Sequence, residues 1–240
     1  MGGAGGGLPD LCGDGKVGAG EGCDDDNAID GDGCSACAVD IGYACTGEPS
    51  VCVKKPPLIA QTLGSTAIND SANHYDGSIA SMDCLPILVP AAADAQIIQD
   101  IELKVAIDHP WLGDLILKLV TPDNTPLTLM LKPGANESSD DYAETPDGDT
   151  SDLSSAYPIV FKDTAAVSAE NMGKNIGPGS IVCKDDNECE FAPAPGKGPG
   201  IKLADFRNKA AAGTWSLCAA DGDNGDAGTL VSGEMTIWIQ

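Results

Sequence analysis

Ten cysteines limit this chain more than any other feature, because of where they fall. Cys12, Cys23, Cys34, Cys37, Cys45 and Cys52 crowd into the first 52 residues, while Cys84, Cys183, Cys189 and Cys218 are spread over the rest. So many cysteines in a chain of 240 residues point to an oxidising compartment, where disulfides persist. The crowded segment has almost no hydrophobic periodicity and cannot bury a core unaided. An even set of close cysteines is the usual remedy, with fifteen pairings that sequence does not choose among. Zinc is the competing use, since Cys34 and Cys37 have ligand spacing and Cys12 and Cys23 could complete a tetrahedron. That would strand Cys45 and Cys52, with no histidine in the segment and Asp24-Asp25-Asp26 beside the thiolates, so disulfides are the expectation.

Charge narrows the partners. Thirty-seven acidic against 13 basic residues give a formal charge of -24, which repels nucleic acid and anionic membrane surfaces alike. It suits solubility and oxygen-rich cation sites. Thirty glycines and 16 prolines favour turns over helices. No apolar run reaches transmembrane length, so membrane contact is expected only through a lipid anchor at the N-terminus. The Gly-rich stretch at 1–9 behaves as a flexible tether. Two origins fit it: the remnant of a cleaved export signal ending at a lipid-modified cysteine, or a plain tail. A basic, Pro-rich link at 54–60 separates the Cys-rich module at 10–53 from a second unit at 61–240.

The second unit reads as strands. Ile101 to Ile107 alternates apolar and polar residues, Leu115–Val120 is a second strand, Thr121-Pro122-Asp123-Asn124 a turn, and Leu127–Leu131 its return. Thr214–Ala219 and Thr229–Trp238 repeat the theme, and Lys202–Lys209 is the best short helix candidate. The fold class expected is mainly β: a jelly-roll-like antiparallel sandwich preceded by a small, disulfide-rich, loop-rich module. Of the later cysteines, Cys183 and Cys189 close a short acidic loop. Cys84 is then left for Cys218, the alternative being Cys218 as a free buried thiol.

Both units resemble known families. Cys12-Gly13-Asp14-Gly15, Glu21-Gly22-Cys23-Asp24-Asp25, Gly31-Asp32-Gly33-Cys34 and Gly42-Tyr43-Ala44-Cys45 resemble the myxococcus-type disulfide repeat of secreted and surface proteins. Asp26 stands where that family usually has glycine, a position suited to positive φ. Asp100-Ile101-Glu102-Leu103, His109-Pro110-Trp111-Leu112-Gly113-Asp114-Leu115 and Leu119-Val120-Thr121-Pro122 resemble the P domain (Homo B) of proprotein convertases. Gly213-Thr214-Trp215-Ser216-Leu217 and the stretch from Asp221 through Asp226-Ala227-Gly228-Thr229-Leu230 continue that resemblance. Departures are Asn124 for the usual glycine, an insert at Cys183–Cys189, and Ser232-Gly233-Glu234 near the end. The P-domain resemblance implies a jelly-roll sandwich that accompanies a subtilisin-like catalytic domain and carries no catalytic residues itself.

No catalytic motif accompanies this. The chain is too short for a subtilisin domain as well, and His109 sits in the P-domain motif as a structural residue. His74 lies in an Asp-rich loop without a nucleophile elbow, so a hydrolase would need a triad assembled in space. The expectation is a non-enzyme. Calcium is the better-supported chemistry, because clustered carboxylates and loop carbonyls supply its six to eight oxygens. Asp221, Asp223 and Asp226 fall within six residues, and the resemblance adds Asp114. Two further acidic loops, Asp24-Asp25-Asp26-Asn27 with Asp30 and Asp32, and Asp147-Gly148-Asp149 with Asp152, are expected to be plain turns. The reading is an exported, calcium-stabilised binding or adhesion module at the bacterial surface, facing an extracellular protein or a glycan. Its alternatives are an accessory P domain docking a separate protease, and a cryptic hydrolase.

Overall fold

The computed structural model describes residues 12–71, 74–92, 96–135, 137–141 and 148–240. The tether, Asp147 of the third acidic loop and their neighbours lie outside the described residues. Four short strands make up the Cys-rich part: β1 (Cys34–Ser35), β2 (Ala38–Val39), β3 (Tyr43–Thr46) and β4 (Val51–Lys54). They pair as two antiparallel hairpins, β1 with β2 and β3 with β4. Bridges Cys12–Cys37, Cys23–Cys34 and Cys45–Cys52 do the work of a core here. None of these sulfurs is left for zinc. Asp26 has φ +64°, the left-handed backbone that glycine adopts without strain.

Eleven further strands follow: β5 (Leu58–Gln61), β6 (Thr66–Ala67), β7 (Asp83–Val89), β8 (Ile98–Asp108), β9 (Leu115–Val120), β10 (Pro126–Leu131), β11 (Ile159–Phe161), β12 (Val167–Ser168), β13 (Glu190–Ala192), β14 (Gly213–Asp221) and β15 (Thr229–Ile239). β5 begins at Leu58, inside the stretch that sequence gave to the link, so the sandwich starts directly after Pro57. The small sheet runs β10–β9–β14–β7 and the large one β12–β13–β11–β8–β15–β5, with β6 also on β15. Pairing is antiparallel except at β13, which lies parallel to both β11 and β12. The Lys202–Lys209 helix reduces to a single 3-10 turn, Leu203–Phe206. Among the described residues no helix is long and apolar enough to cross a membrane.

Alternation builds the core. Ile101, Leu103, Val105 and Ile107 of β8 face Leu115, Leu117 and Leu119 of β9 and Leu217 and Ala219 of β14 across one cluster, in which Trp215 packs edge-on against Phe206. β9 is buried along its whole length, because its other face is also covered. There Ile116 and Val120 join Tyr75, Met82, Leu131 and Cys218 in a second cluster. Lys118 is buried with them: its Nζ donates to Asp140 Oδ2 at 2.7 Å and to the Gly77 carbonyl at 3.2 Å, beneath the Tyr75 ring. Cys84 pairs with Cys218 across β7 and β14, and Cys183 with Cys189. All ten cysteines are thereby bridged, the pattern of an exported protein.

Candidate functional site

The acidic residues singled out by sequence gather at one end of the sandwich. Asp114 closes a 3-10 turn, Leu112–Asp114, that leads into β9, and Asp221 ends the neighbouring strand β14. The ladder pairs Asp221 with Leu115 and runs one bond further, where Gly222 N–H donates to the Asp114 carbonyl at 2.7 Å. Gly113 is required by its surroundings: a Cβ there would lie 2.4 Å from Gly148 Cα, and its N–H donates to the Asp149 carbonyl at 2.7 Å. The glycine of the Gly113-Asp114-Leu115 motif therefore lets a second loop close against the site.

His109 and Asp221 form a buried pair. His109 Nε2 lies 3.1 Å from Asp221 Oδ2, with both side chains almost wholly out of solvent. The other ring nitrogen, Nδ1, is 2.8 Å from the Trp111 carbonyl oxygen and 3.2 Å from the Trp111 amide nitrogen. With its proton on Nε2 the ring donates to the Asp221 carboxylate and Nδ1 accepts the Trp111 N–H. No ring nitrogen remains to activate a nucleophile, so the pair serves as a structural brace. His74 is exposed, and among the described residues neither a serine nor a carboxylate hydrogen-bonds its ring.

The carboxylates of the end loop are unequally supported. Asp221 Oδ1 accepts the Asp223 N–H at 3.1 Å, and Asp223 Oδ1 accepts the Asn224 N–H at 2.7 Å. Asp70, unforeseen at this site, accepts the Gly225 N–H at 2.8 Å and ties the loop to the 68–71 segment. Among the described residues no hydrogen bond reaches the carboxyls of Asp114 or Asp226. Burial, followed by the charges of Asp221, Asp223 and Asp226 and opposed by His109, pushes the Asp114 carboxyl up to about 7. One cation is built in. Lys132 is buried, its Cε would lie 2.3 Å from a Cβ on Gly222, and its Nζ donates to the Asp141 carbonyl at 3.3 Å.

Negative charge in excess and open carboxylates on Asp114 and Asp226 are the donor chemistry calcium takes. The four aspartates are neighbours in space without forming a closed cage. Among the described residues, three ligand atoms of His, Cys, Asp or Glu meet within 4.8 Å only at Glu21, Asp24 and Cys37. That trio is no rival. Cys37 is bridged to Cys12, and Asp24 accepts backbone N–H bonds from Gly13, Asp14, Gly15 and Asp26. The second acidic loop is thus organised around a buried carboxylate with protein donors.

No curated protein matches the chain. Among solved structures, the serine protease of Aeromonas sobria is 16% identical with a TM-score of 0.33, covering 78% of this chain and 28% of that one. The complex of Aeromonas sobria serine protease (ASP) with the chaperone (ORF2) gives the same identity, score and coverage. The chain thus spans about a quarter of the length of these structures. The family model of the proprotein convertase P-domain matches residues 98–156, a stretch that runs from the head of β8 through His109 and Asp114 past β10.

Proposed function

We propose that the chain is a non-catalytic accessory module whose P-type sandwich docks on a separate subtilisin-like catalytic domain, with its acidic end steadied by calcium. The observation that carries the reading is the P-domain match at residues 98–156, which includes the strand pair and turn that build the acidic end. An apolar docking surface supports it. Thr62 bridges Ile87, which sets Leu63 opposite Pro86 and diagonal to Leu88, and Leu63 and Leu88 are 71% and 59% exposed. At the acidic end, Asp114 and Asp226 would supply the open carboxylates for calcium, and Asp221 and Asp223 would add charge around them. A bound calcium ion would neutralise carboxylates that now repel one another.

The test is to mix the protein with a subtilisin-like catalytic domain secreted by the same organism and lacking a P domain of its own. Protease activity surviving a heat step is then measured. The wild-type protein is expected to protect the protease, and Leu63→Glu with Leu88→Glu to abolish protection without lowering the module's own melting midpoint. No protection by the wild type against any such domain overturns the docking reading. The binding-module reading is favoured by a different observation, the crevice described next.

A further inference from the structure

A crevice of about 700 Å³ opens between the Cys-rich module and the sandwich, lined chiefly by Tyr43, Lys54, Lys55, Pro56, Pro57 and Trp238. Its volume falls within the range of small-ligand sites, which favour domain boundaries. The crevice is built rather than incidental. In the β8–β15 ladder Trp238 pairs with Asp100 and Ile239 with Ile98, so Gln99 is left over as a bulge and its side chain turns toward the module. Its Oε1 accepts the Gly42 N–H at 2.8 Å, and its Nε2 donates to the Tyr43 carbonyl at 3.3 Å. Gly42 sits against the indole, where an added Cβ would lie 3.2 Å from Trp238 Cδ1, and Lys55 N–H donates to the Gly42 carbonyl at 2.7 Å. The disulfide Cys45–Cys52 locks the hairpin that carries Tyr43 opposite Lys54. The walls are therefore held before any ligand arrives, which lowers the entropic cost of binding.

Two features of this crevice stand out against the rest of the chain. Lys54-Lys55 is the only pair of adjacent basic residues in a sequence with a formal charge of -24. Among the described residues neither lysine has a carboxylate within ion-pair distance. Beside them lie two partly exposed aromatic rings, and no hydrogen bond reaches the Tyr43 hydroxyl among the described residues. Asp40, also on the wall, spends one oxygen on the Gly33 N–H at 3.0 Å and has another to accept from hydroxyls.

We propose that this crevice binds an acidic oligosaccharide, a short run of uronic-acid rings. The apolar face of one pyranose lies on the Trp238 indole, Lys54 and Lys55 take the carboxylates, and Tyr43 and Asp40 meet ring hydroxyls. Charge complementarity selects this ligand: the lysines reward a carboxylate, while the flat aromatic floor rewards a ring that an acidic peptide lacks. The site shares no residue with the proposed docking patch, which centres on Leu63 and Leu88 past the far end of β5.

The experiment titrates the intact, disulfide-bonded protein with trisaccharides of galacturonic, mannuronic and guluronic acid, following tryptophan fluorescence and heat. Maltotriose and hexaglutamate are the controls. At least one uronate is expected to bind, more weakly as salt is raised. Lys54→Gln and Lys55→Gln should each weaken it by about tenfold, as loss of a charge-assisted hydrogen bond does, with an unchanged melting midpoint. Trp238→Phe should keep the fold and lose the fluorescence response. Failure of all three uronates at millimolar concentration overturns the proposal, as does equal binding of maltotriose, equal or tighter binding of hexaglutamate, or indifference to both lysine substitutions.

Discussion

Asp114→Asn is expected to stabilise the calcium-free protein at alkaline pH and to do little at acid pH. Burial and three neighbouring carboxylates raise the Asp114 carboxyl from an ordinary value near 3.8 to about 7. The unfolded chain releases this proton near pH 4, whereas the folded protein keeps it until about pH 7. Folding therefore takes up a proton between those limits. The stability attached to Asp114 is fully present below the unfolded value and is lost as pH rises through about 7, with no further change above. A shift of about three units at ~1.4 kcal/mol each caps the effect at roughly 4 kcal/mol. The carboxyl is only partly buried, and solvent screening brings the expectation down to roughly 2 kcal/mol. Asparagine keeps the shape and removes the charge. In chelator at about pH 8.5 the variant should melt some 4–8 °C above wild type by calorimetry, and at about pH 5 within ~2 °C of it. Excess calcium should raise the wild type and close that gap, because calcium bound to the folded state stabilises it. A difference that is the same at both pH values, or a variant less stable at the alkaline one, refutes the electrostatic reasoning.

Other parts of the fold yield shorter tests. Lys118→Ala should cost about 3 kcal/mol by denaturant titration, because it leaves the Asp140 carboxylate without its cation and with only the Tyr75 hydroxyl, which donates to Asp140 Oδ1 at 2.7 Å. Removing Cys84–Cys218 by paired alanines should cost about 4 kcal/mol, since that bridge closes 134 residues, against a smaller loss for Cys183–Cys189, which closes only 6. Gly113→Ala should cost 1–3 kcal/mol or more through its clash with Gly148, read as a fall in melting midpoint. Asp26→Gly should leave stability unchanged or raise it by up to about 1 kcal/mol, because the backbone there is already left-handed.

The long strands were legible because alternation and burial agree in them. β8, β9, β10, β14 and β15 fall within a residue or two of their expected spans, bar the start of β8 at Ile98 where alternation is read from Ile101. Asn124 was legible too: the usual glycine position has φ +60° here, which asparagine tolerates. β11, β12 and β13 escaped notice because two or three residues carry no period, and a parallel pairing such as β11 with β13 depends on chain reversal far away in sequence. Lys118 was missed although a signal existed. Period-two alternation puts it on the same face of β9 as Ile116 and Val120, so a lysine there is either exposed with them or buried with them. The loops carrying Tyr75 and Asp140 decide for burial, and no local pattern announces them. At the acidic end, sequence singled out Asp114, Asp221, Asp223 and Asp226, and the charges of the last three all act on the Asp114 carboxyl. It missed Lys132 and Asp70, whose approach depends on loop closure.

Coverage of the sandwich then decides where a partner protein can sit. The outer face of the small sheet is covered over β9 by the loops that bury Lys118 and Tyr75, and is open at Leu88 of β7. On the large sheet, the Cys-rich module already occupies the ground near Gln99 and Trp238. The acidic end, with four carboxylates close together, repels acidic partners. Among the described residues, the junction where β5 runs into β7 carries three large apolar side chains, Ile59, Leu63 and Leu88, all more than half exposed. A docking partner needs a desolvated apolar centre with polar groups around it, and Gln61 beside Glu234 supplies such a rim there. Charge placed at Leu63 or Leu88 should therefore abolish docking while leaving oligosaccharide binding at Trp238 intact. Lys55→Gln should do the reverse, and a single substitution that removed both functions would show that the two surfaces are one.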